Sequence, residues 1–435
     1  MRRKLVSSLL TLTLLYFSAL STAESLRSDI AADYEANLQQ LFLHFHANPE
    51  LSNREFKTAK RMAQEIRAFG YEVTERVGGT GIVAVLKNGA GPVVMLRADM
   101  DGLPVEERSG LPYASTARQE DITGIEQPVM HACGHDVHVT ALIGAARQLA
   151  ARKEQWSGTL VLIGQPAEER ISGARAMLED GLYKRFPKPD YALAFHVAAE
   201  LPSGKIEVPL GIAYSSADSV DIIVHGVGAH GASPHQGIDP VLVASQIVVT
   251  LQSVVSRTIA PLQPGVITVG AIHGGTKHNI IGNRVEMQLT VRSDDVETRK
   301  LLLDGIDRVA DGVARSLGVP EDKLPEVVRS KTESTPPTIN DEETAGVINA
   351  AFIKNMGEEY MTTKPRTSMG AEDFAYFVEA SRHVKGVYFA VGGTAEDEVD
   401  QAPSHHSPLF KIEPEPSIKT GVEAMVIGAM TLMPQ

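Results

Sequence analysis

The chain has 435 residues, of which 54 are acidic and 41 basic, giving a formal net charge of −13. That balance argues against nucleic acid and anionic membrane surfaces as partners. The length exceeds one usual domain of roughly 100–200 residues, so two domains are expected.

At the N-terminus, Arg2, Arg3 and Lys4 form a basic head, Leu5 to Leu20 an apolar run, and Ser21-Thr22-Ala23 supply small residues for cleavage after Ala23. The run is short for a membrane span and carries several hydroxyls, so residues 1–23 read as a secretory signal peptide and not an anchor. The expected location is periplasmic or extracellular, with no membrane attachment after cleavage. Cleavage removes three basic residues and no acid, leaving 38 bases against 54 acids, a formal charge of −16. Cys133 is the only cysteine, which excludes an internal disulfide. In an oxidising compartment such a thiol is either buried or held as a thiolate, as a metal would hold it.

Leu26 to His46 has helical periodicity and ends at Asn48-Pro49, and Glu55 to Phe69 is a second helix closed by Gly70. Gly81 to Leu86 and Val93 to Leu96 read as buried strands. His135 to Lys153 is an Ala- and Leu-rich helix, Gly158 to Gly164 a buried strand, and Ser172 to Asp180 a helix stopped by Gly181. Tyr191 to Phe195 is a strand with His196 expected just past its end. This alternation implies an α/β domain, a mostly parallel sheet with helices on both faces. From Ala213 the pattern changes: strand Ser219 to Val224, helix Pro240 to Ile259, strands Val266 to Ile272 and Arg284 to Val291, and helix Val296 to Leu317. The polar stretch Ser330 to Thr338 marks its end. Helices from Glu342, Asp373 and Ile418 and strand Gly386 to Val391 return to α/β. The expected organisation is residues 24–212 with 335–435 as the catalytic domain and 213–334 as an inserted, smaller α+β domain.

In open α/β sheets sites form beyond the carboxyl ends of strands. Glu168, Glu169 and His196 are expected there, with Cys133 and His135 at a helix start. Thiolate, imidazole and carboxylate together suit zinc, manganese or cobalt. His405 or His406 offers a further imidazole. A rival reading makes Cys133 a nucleophile with His135 as its base, but leaves Glu168, Glu169, His196 and His406 without a role.

The segments RADMDGLP (97–104), MHACGHDVH (130–138), QPAEE (165–169), FHV (195–197), GAHGASPH (228–235), HNIIGN (278–283), SMGAEDF (368–374) and HSPLF (406–410) carry a specific resemblance. From about Leu38 to its end the chain resembles the metallo-amidohydrolases related to aminoacylase and glutamate carboxypeptidase. Within them it is most similar to the hippurate hydrolases and indole-3-acetic-acid–amino acid hydrolases. The resemblance implies two divalent ions held by Cys133, His135, Glu169, His196 and His406, with Cys133 bridging and His405 the alternative to His406. It makes Glu168 the general base and gives His230 the tetrahedral oxyanion, often from a partner subunit. Asn279 and Arg292 match positions that bind the substrate's carboxylate, and the inserted domain becomes a mobile lid and homodimerisation surface. The implied substrate is a small N-acyl amino acid.

Two departures matter. Many relatives have Asn-Val-Ile-Pro where this chain has Asn279-Ile280-Ile281-Gly282, and the lost proline bears on the placement of Asn279. Broader peptidase relatives use His-x-Asp where this chain has Arg97-Ala98-Asp99, which points to the cysteine-using branch. Asp99 and Asp136 are then expected to orient ligand histidines; His131 and His138 are left unassigned. Two other functions stay open: a dipeptidase or carboxypeptidase acting on unblocked peptides, and an exported ligand-binding protein without catalysis.

Overall fold

The computed structural model describes residues 25–381 and 383–435. The expected signal peptide therefore lies outside the described residues. The chain divides into two compact units. The larger takes residues up to Ala213 with Ile339–Pro365 and Tyr376–Gln435, and the smaller takes Tyr214–Thr338 with Arg366–Ala375. The sequence reading had assigned all of 335–435 to the larger unit. Arg366–Ala375 belongs to the smaller one because its pairings are there: Arg366 with Asp294, and the Ser215 N–H with the Gly370 carbonyl at 2.8 Å.

The larger unit is built on β1 (Glu72–Val77), β2 (Gly81–Asn88), β3 (Val93–Asp99), β4 (Gly158–Gln165), β5 (Tyr191–Pro202), β6 (Ile206–Glu207) and β11 (Lys385–Thr394), in the order β1-β2-β4-β3-β5-β11-β6. β4, β3, β5 and β11 are mutually parallel, while β2 and β6 run against their neighbours. Five of the seven strands thus point the same way. Strands such as β4, GTLVLIGQ, are apolar along nearly their whole length because helices cover both faces of the sheet. β1 was not foreseen: it is a charged edge strand, EVTERV, largely exposed and without the apolar run of a covered strand.

The helices of this unit include α1 (25–47), α2 (Phe56–Ala68), α3 (His135–Ala151), α4 (Gly173–Glu179), α7 (Glu342–Met356) and α8 (Pro414–Leu432), and all but α4 feed one hydrophobic core. α3 is buried at almost every position, so its sequence carries little amphipathic signal. Gly144 lets α8 approach α3 closely, since a Cβ there would lie 2.6 Å from Val422 Cγ2.

The smaller unit is an antiparallel sheet in the order β8-β9-β7-β10, from β7 (Ala217–His225), β8 (Gly265–Gly274), β9 (Arg284–Ser293) and β10 (Glu326–Thr335). Alternate residues Val220, Ile222 and Val224 of β7 and Val285, Met287 and Leu289 of β9 pack with α5 (Pro240–Ser253) and α6 (Val296–Ser316). Asp239 caps α5 and Asp295 caps α6 through main-chain N–H groups; such caps contribute about 0.5–2 kcal/mol each. β10 was also missed from sequence. It is a polar edge strand, EVVRSKTEST, that runs into the polar stretch Ser330 to Thr338 expected to close the unit.

Candidate metal centre

The centre is assembled in the larger unit where β3 and β4 end and α3 begins. Gly134, between Cys133 and His135, has φ +84° and is the N-cap of α3. A Cβ there would be strained and would meet Val197 Cγ1 at 2.3 Å, so the turn admits only glycine. His135 Nδ1 donates to the Asp101 carbonyl at 2.8 Å. That fixes the tautomer and leaves Nε2 bare, facing Asp99 at 3.7 Å and Glu168 and Glu169 at 3.9 Å each.

β4 delivers the two glutamates on a tight turn in which Ala167 has φ +48°. Asp101 holds this turn: its Oδ1 accepts the Glu168 N–H and its Oδ2 the Glu169 N–H, both at 3.1 Å, and Ser52 Oγ supports it at 2.6 Å. Glu55 Oε1 accepts the Ala167 N–H at 2.8 Å. Asp101 and Glu55 were not singled out from sequence. Asp101 lay within RADMDGLP, whereas Glu55 had no signal beyond its place at a helix start.

His196 was expected just past the end of a strand. It lies inside β5, paired in register with Ala390 of β11. The expectation failed because β5 outruns its other neighbour: β3 pairs with it only as far as Ala194. Beyond that point His138 Nε2 accepts the Val197 N–H at 2.8 Å, while His138 Nδ1 is held by Asp99 Oδ1 at 2.6 Å. His138 thus supports the strand that carries His196. His196 Nε2 sits 3.4 Å from Cys133 Sγ.

Of the C-terminal pair, His406 has φ +66° and brings Nε2 to 3.4 Å from Glu169 Oε2. His405 turns elsewhere: its Nε2 accepts the Ala199 N–H at 3.2 Å and its Nδ1 lies 3.7 Å from Cys133 Sγ. Asp136 does not orient a ligand histidine. It is bonded to His46 Nδ1 at 2.7 Å, and His46 Nε2 reaches Glu107 at 3.2 Å. Its position on the first turn of α3 faces α1, not the glutamates. His131 is buried without a hydrogen-bond partner among the described residues.

The five expected ligands therefore form two donor triads, Cys133–His135–His196 and Cys133–Glu169–His406, each with its atoms within 4.8 Å of one another and with Cys133 common to both. Glu168 groups with His135 and Glu169 but not with the sulfur. His230, Asn279 and Arg292 lie in the smaller unit. His230 and Asn279 are neighbours there, the Gly231 N–H donating to the Asn279 carbonyl at 2.9 Å, while Arg292 is part-buried on β9 with Nε 3.2 Å from Thr290 Oγ1.

The electrostatics fit cations. His135 Nε2 and Glu169 Oε1 are buried without hydrogen-bond partners among the described residues. Burial pushes the Cys133 thiol well up, and Glu169 and Glu168 add to it. Burial raises the Glu169 carboxyl to about 8, with Asp101 and Asp99 adding to it against the opposing pull of His135. Burial would lower His135, yet the carboxylates of Asp99, Asp101 and Glu169 carry it to about 10. A buried set with this much negative charge and two bare donor atoms is suited to divalent ions, which take deprotonated ligands.

Comparison with known proteins agrees with this arrangement. The chain is 38% identical over 354 residues to the hippurate hydrolase of Campylobacter jejuni, covering 80% of this chain and 87% of that one. It is 35% identical over 388 residues to thermostable carboxypeptidase 2 of Saccharolobus solfataricus, covering 88% and 92%. Among solved structures, the YXEP protein of Bacillus subtilis, a dinuclear metal binding peptidase from the M20 family, aligns with a TM-score of 0.74 at 28% identity, over 92% of this chain and 98% of that one. The model of Peptidase family M20/M25/M40 matches residues 95–428, and with the relatives above it places the chain as a member of that family.

Proposed function

We propose that the protein is a metal-dependent amidohydrolase that cleaves the amide of N-acyl amino acids to a carboxylic acid and a free amino acid. The observation that carries this reading is the pair of donor triads sharing Cys133, with the separate carboxylate Glu168 beside them. Cys133, His135 and His196 would hold one divalent ion, and Cys133, Glu169 and His406 the other, with manganese, zinc and cobalt all compatible with the donors. When bound, such ions lower the pKa of water from 15.7 toward about 7 and polarise an amide carbonyl. Glu168 takes a proton from the attacking water at a carboxylate oxygen and returns it to the leaving amine. Asp101 keeps the Glu168 and Glu169 main chain rigid while this happens. The reading gives the smaller unit the oxyanion donor His230 and the substrate-carboxylate anchor of Arg292 and Asn279, an Arg fork matching a carboxylate.

The substrate class follows from that anchor and from the hippurate hydrolase relative. Turnover of N-benzoyl- and other N-acyl amino acids should fall sharply, through KM, when their carboxylate is esterified. The carboxypeptidase relative favours a second reading. If dipeptides with free amines are cleaved far better than their N-acylated forms, that reading replaces the first.

We further propose a homodimer formed through the smaller unit. On α5, Val241, Leu242 and Val249 are exposed, although Val243, Ile247 and Leu251 are buried. β8 is an edge strand with Ile272 exposed. An open sheet edge beside an apolar helix face is a surface that soluble proteins cover. Light scattering should give the mass of two chains, and Leu242→Glu with Val249→Glu should reduce it to one. A monodisperse, fully active single chain in the unsubstituted protein would remove the dimer from the account.

A further inference from the structure

His405 was the alternative to His406 as a metal ligand, and its ring geometry gives it another task. Its Nε2 accepts the Ala199 N–H at 3.2 Å. A ring nitrogen that accepts a hydrogen bond bears no proton, so the proton of the neutral ring is on Nδ1. Nδ1–H has no lone pair to give an ion. It faces Cys133 Sγ at 3.7 Å, and sulfur is an acceptor. The ring is kept in this attitude by Phe410, with centroids 4.8 Å apart, and by the His196 ring at 5.1 Å.

We infer that His405 is a positioning residue that donates an Nδ1–H···S hydrogen bond to the shared thiolate of Cys133. The inference rests on the reading of Cys133 as a ligand common to both triads. A thiolate has three lone pairs. A Cys133 shared by both triads would still have a lone pair to offer a hydrogen bond. The bond draws electron density from the sulfur, so the thiolate stays ionised yet donates less strongly to the ions. Ions held by this sulfur would keep more of their Lewis acidity than an unmodified thiolate would leave them, the kind of tuning that hydrogen bonds to ligands exert.

The test uses the full-length protein loaded with Co2+, whose thiolate-to-cobalt charge-transfer absorption reports on the sulfur directly. His405→Asn places an amide N–H near the position of Nδ1 and drops the bond to Ala199. His405→Gln places an acceptor near the position of Nε2 and drops the donor to sulfur. The expected result is an absorption maximum at the original position in His405→Asn and moved to longer wavelength in His405→Gln, because a thiolate without a hydrogen bond gives up its electron at lower energy. His405→Ala should move it in the same direction and serves in place of His405→Gln should that variant fail to fold. An unmoved maximum in both His405→Gln and His405→Ala overturns the inference. Equal movement in His405→Asn and His405→Gln also overturns it, since His405 would then act only by supporting the Ala199 segment. Absence of any thiolate absorption in the unsubstituted cobalt protein overturns the ligand role of Cys133 itself, and this inference with it.

Discussion

Replacing Glu168 by Gln lowers turnover by at least about 10²-fold while the bound metal stays, whereas Glu169→Gln loses metal first and activity as a consequence. The two residues are adjacent, so chain position does not separate them. The geometry does: Glu169 lies in the group with Cys133 and His406 and has a buried Oε1 without a partner among the described residues, while Glu168 shares no group with Cys133. A 10²-fold loss is about 2.7 kcal/mol of transition-state stabilisation, within reach of a single acid–base group. Glutamine keeps the volume and the Asp101 contacts, which run through main-chain N–H groups and not through the side chains. The two variants are therefore compared on an unchanged turn. Metal content by elemental analysis, read beside single-substrate kinetics, decides the matter. Metal loss in Glu168→Gln with retention in Glu169→Gln would reverse the assignment.

The second large effect concerns the sulfur. Cys133→Ala should empty both metal positions, while His196→Ala and His406→Ala should each weaken one and spare the other. The reason is that Cys133 alone belongs to both triads. Loss of a group that merely supports a ligand costs about 10–100-fold in affinity, and loss of a shared ligand should exceed that for two ions at once. Titration of metal-free protein with cobalt or zinc reads the stoichiometry directly: close to none for Cys133→Ala and about one for each histidine variant, against two for the unsubstituted protein. Two ions bound to Cys133→Ala with undiminished affinity would dismiss the shared role. The fold should tolerate the change, because the turn depends on Gly134 and on the Asp101 carbonyl and not on the thiol.

Much of this was legible in the chain. The alternation of apolar strands with helices, including GTLVLIG and the helix after Gly134, determined the α/β core, because strands covered on both faces must be apolar throughout. The two compact units divide between Ala213 and Tyr214, where the alternation of strands and helices gives way to antiparallel strands. Cys133, His135, Glu168 and Glu169 stood out because their chemistry gathers at a strand end and a helix start, and His196 because it follows an apolar strand run that the structure continues through it.

What the sequence could not determine depends on neighbours distant along the chain. The continuation of β5 through His196 follows from where β3 stops pairing, which no local pattern encodes. The return of Arg366–Ala375 to the smaller unit is decided by its partners Asp294 and Ser215. Asp136 bonds to His46, ninety residues away, because the first turn of α3 presents it to α1. His405 and His406 are adjacent and chemically identical. Only the left-handed backbone at His406 and the Ala199 N–H at His405 separate them, one ring turned to Glu169 and the other to the sulfur. Residue type and periodicity are properties of the chain, whereas the direction in which a side chain points is settled by what packs against it.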